Sequence, residues 1–220
     1  MFHIDMADPI ILSIQTATFA LCIAFPFGTL LARLMAGKRF KGQTAVETLF
    51  LLPIVLPPTV IGFLLIILFG KHSPVGLFIE SVFGSSMMFT PWAAAIASTV
   101  VAFPLMYQSA KAGFESLDSE IEEAARMDGA GAWKTFYHIT LPLSSRALIT
   151  GGILSFARAL GEFGATLMFA GNIPGKTQTV PIAIYVAMES GQTERAWALV
   201  IIIIIISFAM LYLSSRLKSR

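Results

Sequence analysis

The sequence is short of charge. Only 13% of its 220 residues are Asp, Glu, Lys or Arg, where a soluble domain carries about 25%, so an ordinary water-facing globule is excluded. Cysteine is almost absent. The single Cys22 excludes a disulfide framework and, inside an apolar run, reads as a small buried hydrophobe. His3, His72 and His138 lie in three separate polar segments, and neither an i, i+4 histidine pair nor a Gly-x-Ser-x-Gly elbow occurs, so no metal set or hydrolase nucleophile is legible. The net charge of +2 gives no argument for a nucleic-acid partner. Repeats of about 20–50 residues and low-complexity linkers are also lacking, which leaves a single domain.

What the chain has is apolar length: 56% hydrophobic residues and a mean hydropathy of +0.78. A helix needs about 20 apolar residues to cross the hydrocarbon. Pro9 to Ala32 supplies 24 uncharged residues, Thr48 to Gly70 supplies 23, and Ser81 to Ala110 supplies 30. Within the last, 89–107 is predicted to span, with Trp92 and Tyr107 as interfacial anchors. A fourth crossing is predicted over 147–169. Ala196 to Ser215 gives 20 more uncharged residues, six of them the consecutive Ile201 to Ile206. Thr177 to Met188 offers only 12, interrupted by Pro181, and reads as re-entrant or interfacial. The prediction is an all-α integral membrane protein with five transmembrane helices, or six if 177–188 joins a crossing. The first run is too long for a signal peptide, and Met1 to Asp8 contains no Lys or Arg.

Two crossings carry irregularities. Pro53, Pro57 and Pro58 remove backbone donors and predict a bend near the start of the second; a structural kink is the plain reading, a flexing point the sharper one. A short polar loop, Lys71 to Glu80, follows. The fourth crossing holds Arg158 and Glu162 at membrane depth, where a charge costs about 2.5–3.5 kcal/mol on insertion scales. Their i, i+4 spacing lets them pair. Ala157, Gly161 and Ala165 form a small-residue stripe beside them, predicting close packing and a central place in the bundle.

Counting Lys and Arg by side puts eleven on one face of the membrane, including Arg33, Lys38, Lys111, Arg126 and Arg216, and three on the other, Lys71, Lys176 and Arg195. The positive-inside rule then places the segment between crossings three and four, and the C-terminus, in the cytoplasm, with the N-terminus outside.

That segment, 116–142, is a polar island. Ser119-Glu120-Ile121-Glu122 has the form of a capping box, acidic residues occupy the first turn, and Gly129-Ala130-Gly131 offers a left-handed stop. Ile121, Ala124 and Ala125 share a face. A second amphipathic segment, Trp133, Phe136 and Tyr137 opposite Lys134 and His138, is predicted to run until Pro142. On the residues alone this knob is either an interfacial connector or a docking element.

Glu123, Ala124, Ala125, Gly129, Ile139, Leu141 and Pro142 fill every position of a pattern that resembles the EAA loop of the inner-membrane permease subunits of binding-protein-dependent ABC importers. Ser155 to Thr166, continuing through Ile173 to Thr177, is similar to the permeases for tetrahedral oxyanions, and the short five-crossing core most resembles the molybdate permeases. The resemblance covers roughly 9–215, which it implies is one type I ABC importer transmembrane domain with 116–142 as its coupling loop. It implies two copies of this chain, two copies of an ATP-binding cassette subunit that bind the ATP and magnesium, and an external oxyanion-binding protein that delivers molybdate. The chain itself would then hydrolyse nothing and hold no cofactor. Arg158, Glu162, Ser155 and Thr166 are the candidates for the transport path or, in the plainer reading, a bundle ion pair. A sulfate, thiosulfate or tungstate permease would share these mechanics. From other classes, a membrane-embedded enzyme using Glu162 and a purely structural subunit are the alternatives. Ala170 to Thr177 matches a relaxed phosphate-binding loop, but a helix rather than a strand enters it, which argues against nucleotide binding there.

Overall fold

A computed structural model describes residues 6–38 and 40–218. His3, Arg39 and Arg220, which enter the histidine and charge readings, lie outside the described residues. Every regular element among those described is helical.

Three helices are long and apolar enough to cross unaided: α1 (Ala7–Met35), α5 (Pro91–Glu115) and α11 (Thr193–Lys218). Two further crossings are broken. α2 (Gln43–Val55) and α3 (Pro58–Phe69) meet at a bend of 114°. Leu56 and Pro57 are extended, with ψ of 138° and 137°, because a residue before proline is pushed out of the helical region and Pro58 is preset for the first turn of the next helix. The bend expected near the start of this crossing falls at its middle, since α2 begins ahead of the uncharged run at Gln43. Pro53 stays inside α2.

The expected loop over Lys71 to Glu80 is largely helix, α4 (Pro74–Phe83). Ser73 caps it by accepting the Gly76 N–H at 2.8 Å, Pro74 occupies the first turn and Gly84, at φ 68°, closes it. α6 (Ser119–Met127) and α7 (Ala132–Leu143) form the polar knob. α8 (Ser145–Leu160) leaves α7 at 69°. The fourth crossing is not one helix, as expected over 147–169, but stops at Leu160 and resumes as α9 (Gly164–Ala170). The stripe of Ala157, Gly161 and Ala165 is therefore divided between two helices. α10 (Val180–Glu189) is ten residues long, too short to cross.

The centre of the bundle is shared by α5 and the fourth crossing, whose α8 and α9 pack against α1, α3, α5 and α11. α5 packs against α1, α8, α9, α2 and α3 because Ala93, Ala94, Ala97, Ala102, Ala110 and Gly113 are all buried along it, and small residues admit neighbours on several sides. At Gly113 a Cβ would stand 2.5 Å from that of Ala147, so the α5–α8 crossing needs glycine there. Two side chains face otherwise than expected: Tyr107 is buried beside Phe50 and Phe103 rather than anchored at an interface, and Cys22 is exposed. Trp92 is exposed and packs edge-on against Phe19.

Candidate functional site

Two constellations of charge stand out: the knob and the break in the fourth crossing. On the knob, Asp118 caps α6 by accepting the Glu120 N–H at 3.0 Å. The expected capping box is thus displaced by one residue, with Ser119 already inside the helix. This frees Glu122 for another role. Glu120 and Glu122 sit in the first turn, where the helix dipole favours them. Gly129 ends the helix at φ 86°, and the Ala130 N–H closes on the Ala125 carbonyl at 3.0 Å. A π-helical turn over Phe136–Thr140 lies within α7, and Pro142 falls inside the final turn rather than ending the segment.

Of the seven pattern residues, Glu123, Ala124, Gly129 and Pro142 are exposed, and Ala125, Ile139 and Leu141 are half-buried. Glu123 makes no hydrogen bond or ion pair with the described residues, which leaves its carboxylate available to a partner. Around it Ile121, Met127, Trp133 and Tyr137 are exposed, Met127 by 87%, and Trp133 stacks on Tyr137 with ring centroids 6.0 Å apart. Apolar side chains are thus grouped on an otherwise charged knob, as exposed patches that meet a partner often are.

Sequence reasoning missed what Glu122 does. Its carboxylate accepts from Arg33 at 2.8 Å and from the Thr140 hydroxyl at 2.6 Å, with Arg126 at 3.6 Å. The Arg33 guanidinium lies 6.0 Å from the Phe114 ring centre and 5.9 Å from that of Phe136. Burial pushes the Glu122 carboxyl up, but the Arg33 and Thr140 bonds and the charges of Arg33 and Arg126 outweigh it and hold it below the usual range. Arg33 and Glu122 are 89 residues apart, and no local signal links them.

At the break in the fourth crossing, Arg158 and Glu162 do pair, at 2.8 Å. The other Glu162 oxygen accepts the Ala165 N–H at 2.9 Å, so one side chain both neutralises Arg158 and satisfies an end of α9. Glu162 is 1% exposed and Arg158 35%. Ser155 and Thr166 are buried within the single chain. The Ser155 hydroxyl donates to the Ala102 carbonyl at 3.2 Å, while that of Thr166 has no partner among the described residues. In the segment that mimics a phosphate loop, the N–H groups of Lys176, Thr177 and Gln178 all turn onto the Ile173 carbonyl, so they do not form a cradle for phosphate.

The family model for the binding-protein-dependent transport system inner membrane component matches residues 24–220. The chain is 57% identical to the permease protein YvgM of Bacillus subtilis (strain 168), covering 98% of this chain and 95% of that one. It is 40% identical to the molybdenum transport system permease protein ModB of Haemophilus influenzae, over 95% of this chain and 92% of that one. Against ModB of Escherichia coli (strain K12) the identity is 38%, over 96% and 95%. Among solved structures, a bacterial alginate ABC transporter superposes with a TM-score of 0.73 at 16% identity, covering 96% of this chain and 77% of that one. The MetNI methionine ABC transporter gives 0.67 at 15%, covering 97% and 93%. At those identities the structural likeness speaks for the fold.

Proposed function

We propose, from the premise that this chain belongs to the binding-protein-dependent transport system inner membrane components, that it is the permease subunit of an ATP-driven importer that moves molybdate across the cytoplasmic membrane. The observation that carries the substrate is the naming of relatives at 38–40% identity over nearly the whole chain as molybdenum transport permeases. The chain is a multi-pass membrane protein and a transport subunit rather than an enzyme. The partners are two ATP-binding cassette subunits, which take the ATP and magnesium, an external oxyanion-binding protein and a second copy of this chain, with the path on the two-fold axis between copies. The N-terminus lies outside and the C-terminus in the cytoplasm.

The docking surface for the cassette is the exposed knob, with Glu123, Ala124, Ala125, Gly129, Ile139, Leu141 and Pro142 at its centre; the free Glu123 carboxylate and the exposed aromatic pair support this reading. Arg158 is the residue of the transport path. A guanidinium at membrane depth that is one-third exposed on the single chain has to face water or protein rather than lipid, and the space between two copies supplies both. Glu162 holds it in place. Ser155 and Thr166 support the same helices from inside the bundle.

The test is uptake of labelled molybdate at submicromolar concentration by cells lacking this chain and by the same cells with it restored. Loss and rescue of uptake that tungstate blocks and excess sulfate does not is the expected result. Unchanged uptake, or blockage by sulfate, would move the assignment to the sulfate class.

A further inference from the structure

α6 carries the face offered to the partner, yet none of its residues is buried, and its packing neighbour is α7. A helix perched in this way transmits force to the spanning helices only through the chain at its two ends and through side chains that tie it down. Glu122 is such a side chain. One of its oxygens takes the Arg33 guanidinium, at the end of α1, at 2.8 Å, and the other takes the Thr140 hydroxyl, at the end of the π turn in α7, at 2.6 Å. Thr140 is buried, so the second bond is partly shielded from water. Arg33 is itself flanked by Phe114 of α5 and Phe136 of α7, which restrict where its charge can sit. Met35, Phe114, Phe136 and Leu141 pack together on one side of this link, to which α6 contributes no residue, and an open cleft of about 880 Å³, lined by Arg33, Lys38, Glu47, Glu115 and Glu122 among others, runs along the other.

We propose that Glu122 is the positioning residue that fastens the coupling loop to the first membrane helix, so that the knob and the cytoplasmic end of α1 move as one body. The proposal rests on the coupling reading above. The pattern residues meet the partner; Glu122, one position before them, faces the other way and passes the displacement to α1. Charge-assisted bonds suit this role because they are directional and short, whereas apolar contact at the edge of an open cleft would let the two parts slide.

The experiment uses the full complex, this chain with its ATPase and binding protein, in liposomes. Glu122→Ala and Arg33→Met are expected to keep ATP hydrolysis while lowering the molybdate moved per ATP roughly tenfold. Arg33→Lys, which keeps the charge, is expected to retain most of the coupling. Spin labels on Leu34→Cys and Glu120→Cys, both exposed, in a Cys22→Ser background report the mechanical link directly. Their separation should be the same with and without ATP in the otherwise native chain and should change with ATP in Glu122→Ala. Native coupling in both Glu122→Ala and Arg33→Met, or a label separation that already changes with ATP in the native chain, would overturn the proposal alone. Failure of the unsubstituted chain to bind the ATPase would overturn the coupling reading and the proposal with it.

Discussion

Arg158 and Glu162 form one ion pair but occupy two environments: the Arg158 side chain is 35% exposed and that of Glu162 is 1% exposed. Removing either partner is therefore unequal in effect. Arg158→Met leaves a buried carboxylate unpaired, which costs about 3–5 kcal/mol, and the chain should unfold in detergent at a clearly lower temperature. Adding Glu162→Gln to it removes the stranded charge while keeping an oxygen for the Ala165 N–H, so the double variant should recover much of the loss. Equal melting of the single and double variants would show that the pair does not hold this part of the bundle.

Glu123→Arg changes the exposed end of the knob and leaves its internal bonds alone. The variant should insert normally and retain the fold, but co-purify poorly with the ATP-binding subunit and fail to convert hydrolysis into uptake. Gly129→Pro attacks the same surface from the backbone. Proline cannot adopt φ 86°, and it removes the N–H that meets the Arg126 carbonyl at 3.0 Å. A left-handed conformation alone costs a residue with a side chain about 1–2 kcal/mol, so helix content of the knob by hydrogen exchange should fall. Coupled uptake at the native level in both variants would contradict the docking assignment.

The lowered Glu122 carboxyl makes the knob acid-sensitive in one direction. A carboxyl whose folded value lies below its unfolded one contributes stability above the unfolded value and loses it as pH falls through the folded one. Protection of the amides over 119–143, taken relative to their intrinsic exchange rates, should therefore fall as pH drops below the unfolded value of about 4.5. Glu122→Gln should flatten that dependence; an unchanged profile would remove Glu122 as its source.

Gly113→Leu should be among the most damaging changes in the bundle, because its Cβ would already fall 2.5 Å from that of Ala147. Overpacking of this kind costs about 1–3 kcal/mol. Ala147→Gly in the same chain should return part of the lost thermal stability, and its failure to do so would place the strain elsewhere.

The crossings were legible because an uncharged run of sufficient length has few other uses. The break at Leu56 and Pro57 was legible in kind, from adjacent prolines. The break after Leu160 was not: no proline marks it, and it depends on Glu162 turning to satisfy α9. Facing was the weakest reading. In helices that are apolar all round, periodicity does not separate lipid from core, and so Cys22 and Tyr107 were assigned to each other's environments. At the knob, the pattern residues were readable by resemblance, and Glu123, Ala124, Gly129 and Pro142 are exposed while Ala125, Ile139 and Leu141 are half-buried. Glu122 was not readable, because a capping box accounted for it locally while its actual partners, Arg33 and Thr140, are brought to it by the packing of other helices.

The most direct test of the whole account is reconstitution of this chain with its ATP-binding subunit and binding protein in liposomes, followed by labelled molybdate. ATP-dependent accumulation that requires the binding protein, is blocked by tungstate and is indifferent to excess sulfate is the predicted result. Absence of ATP-dependent accumulation of any oxyanion by the assembled complex would contradict it.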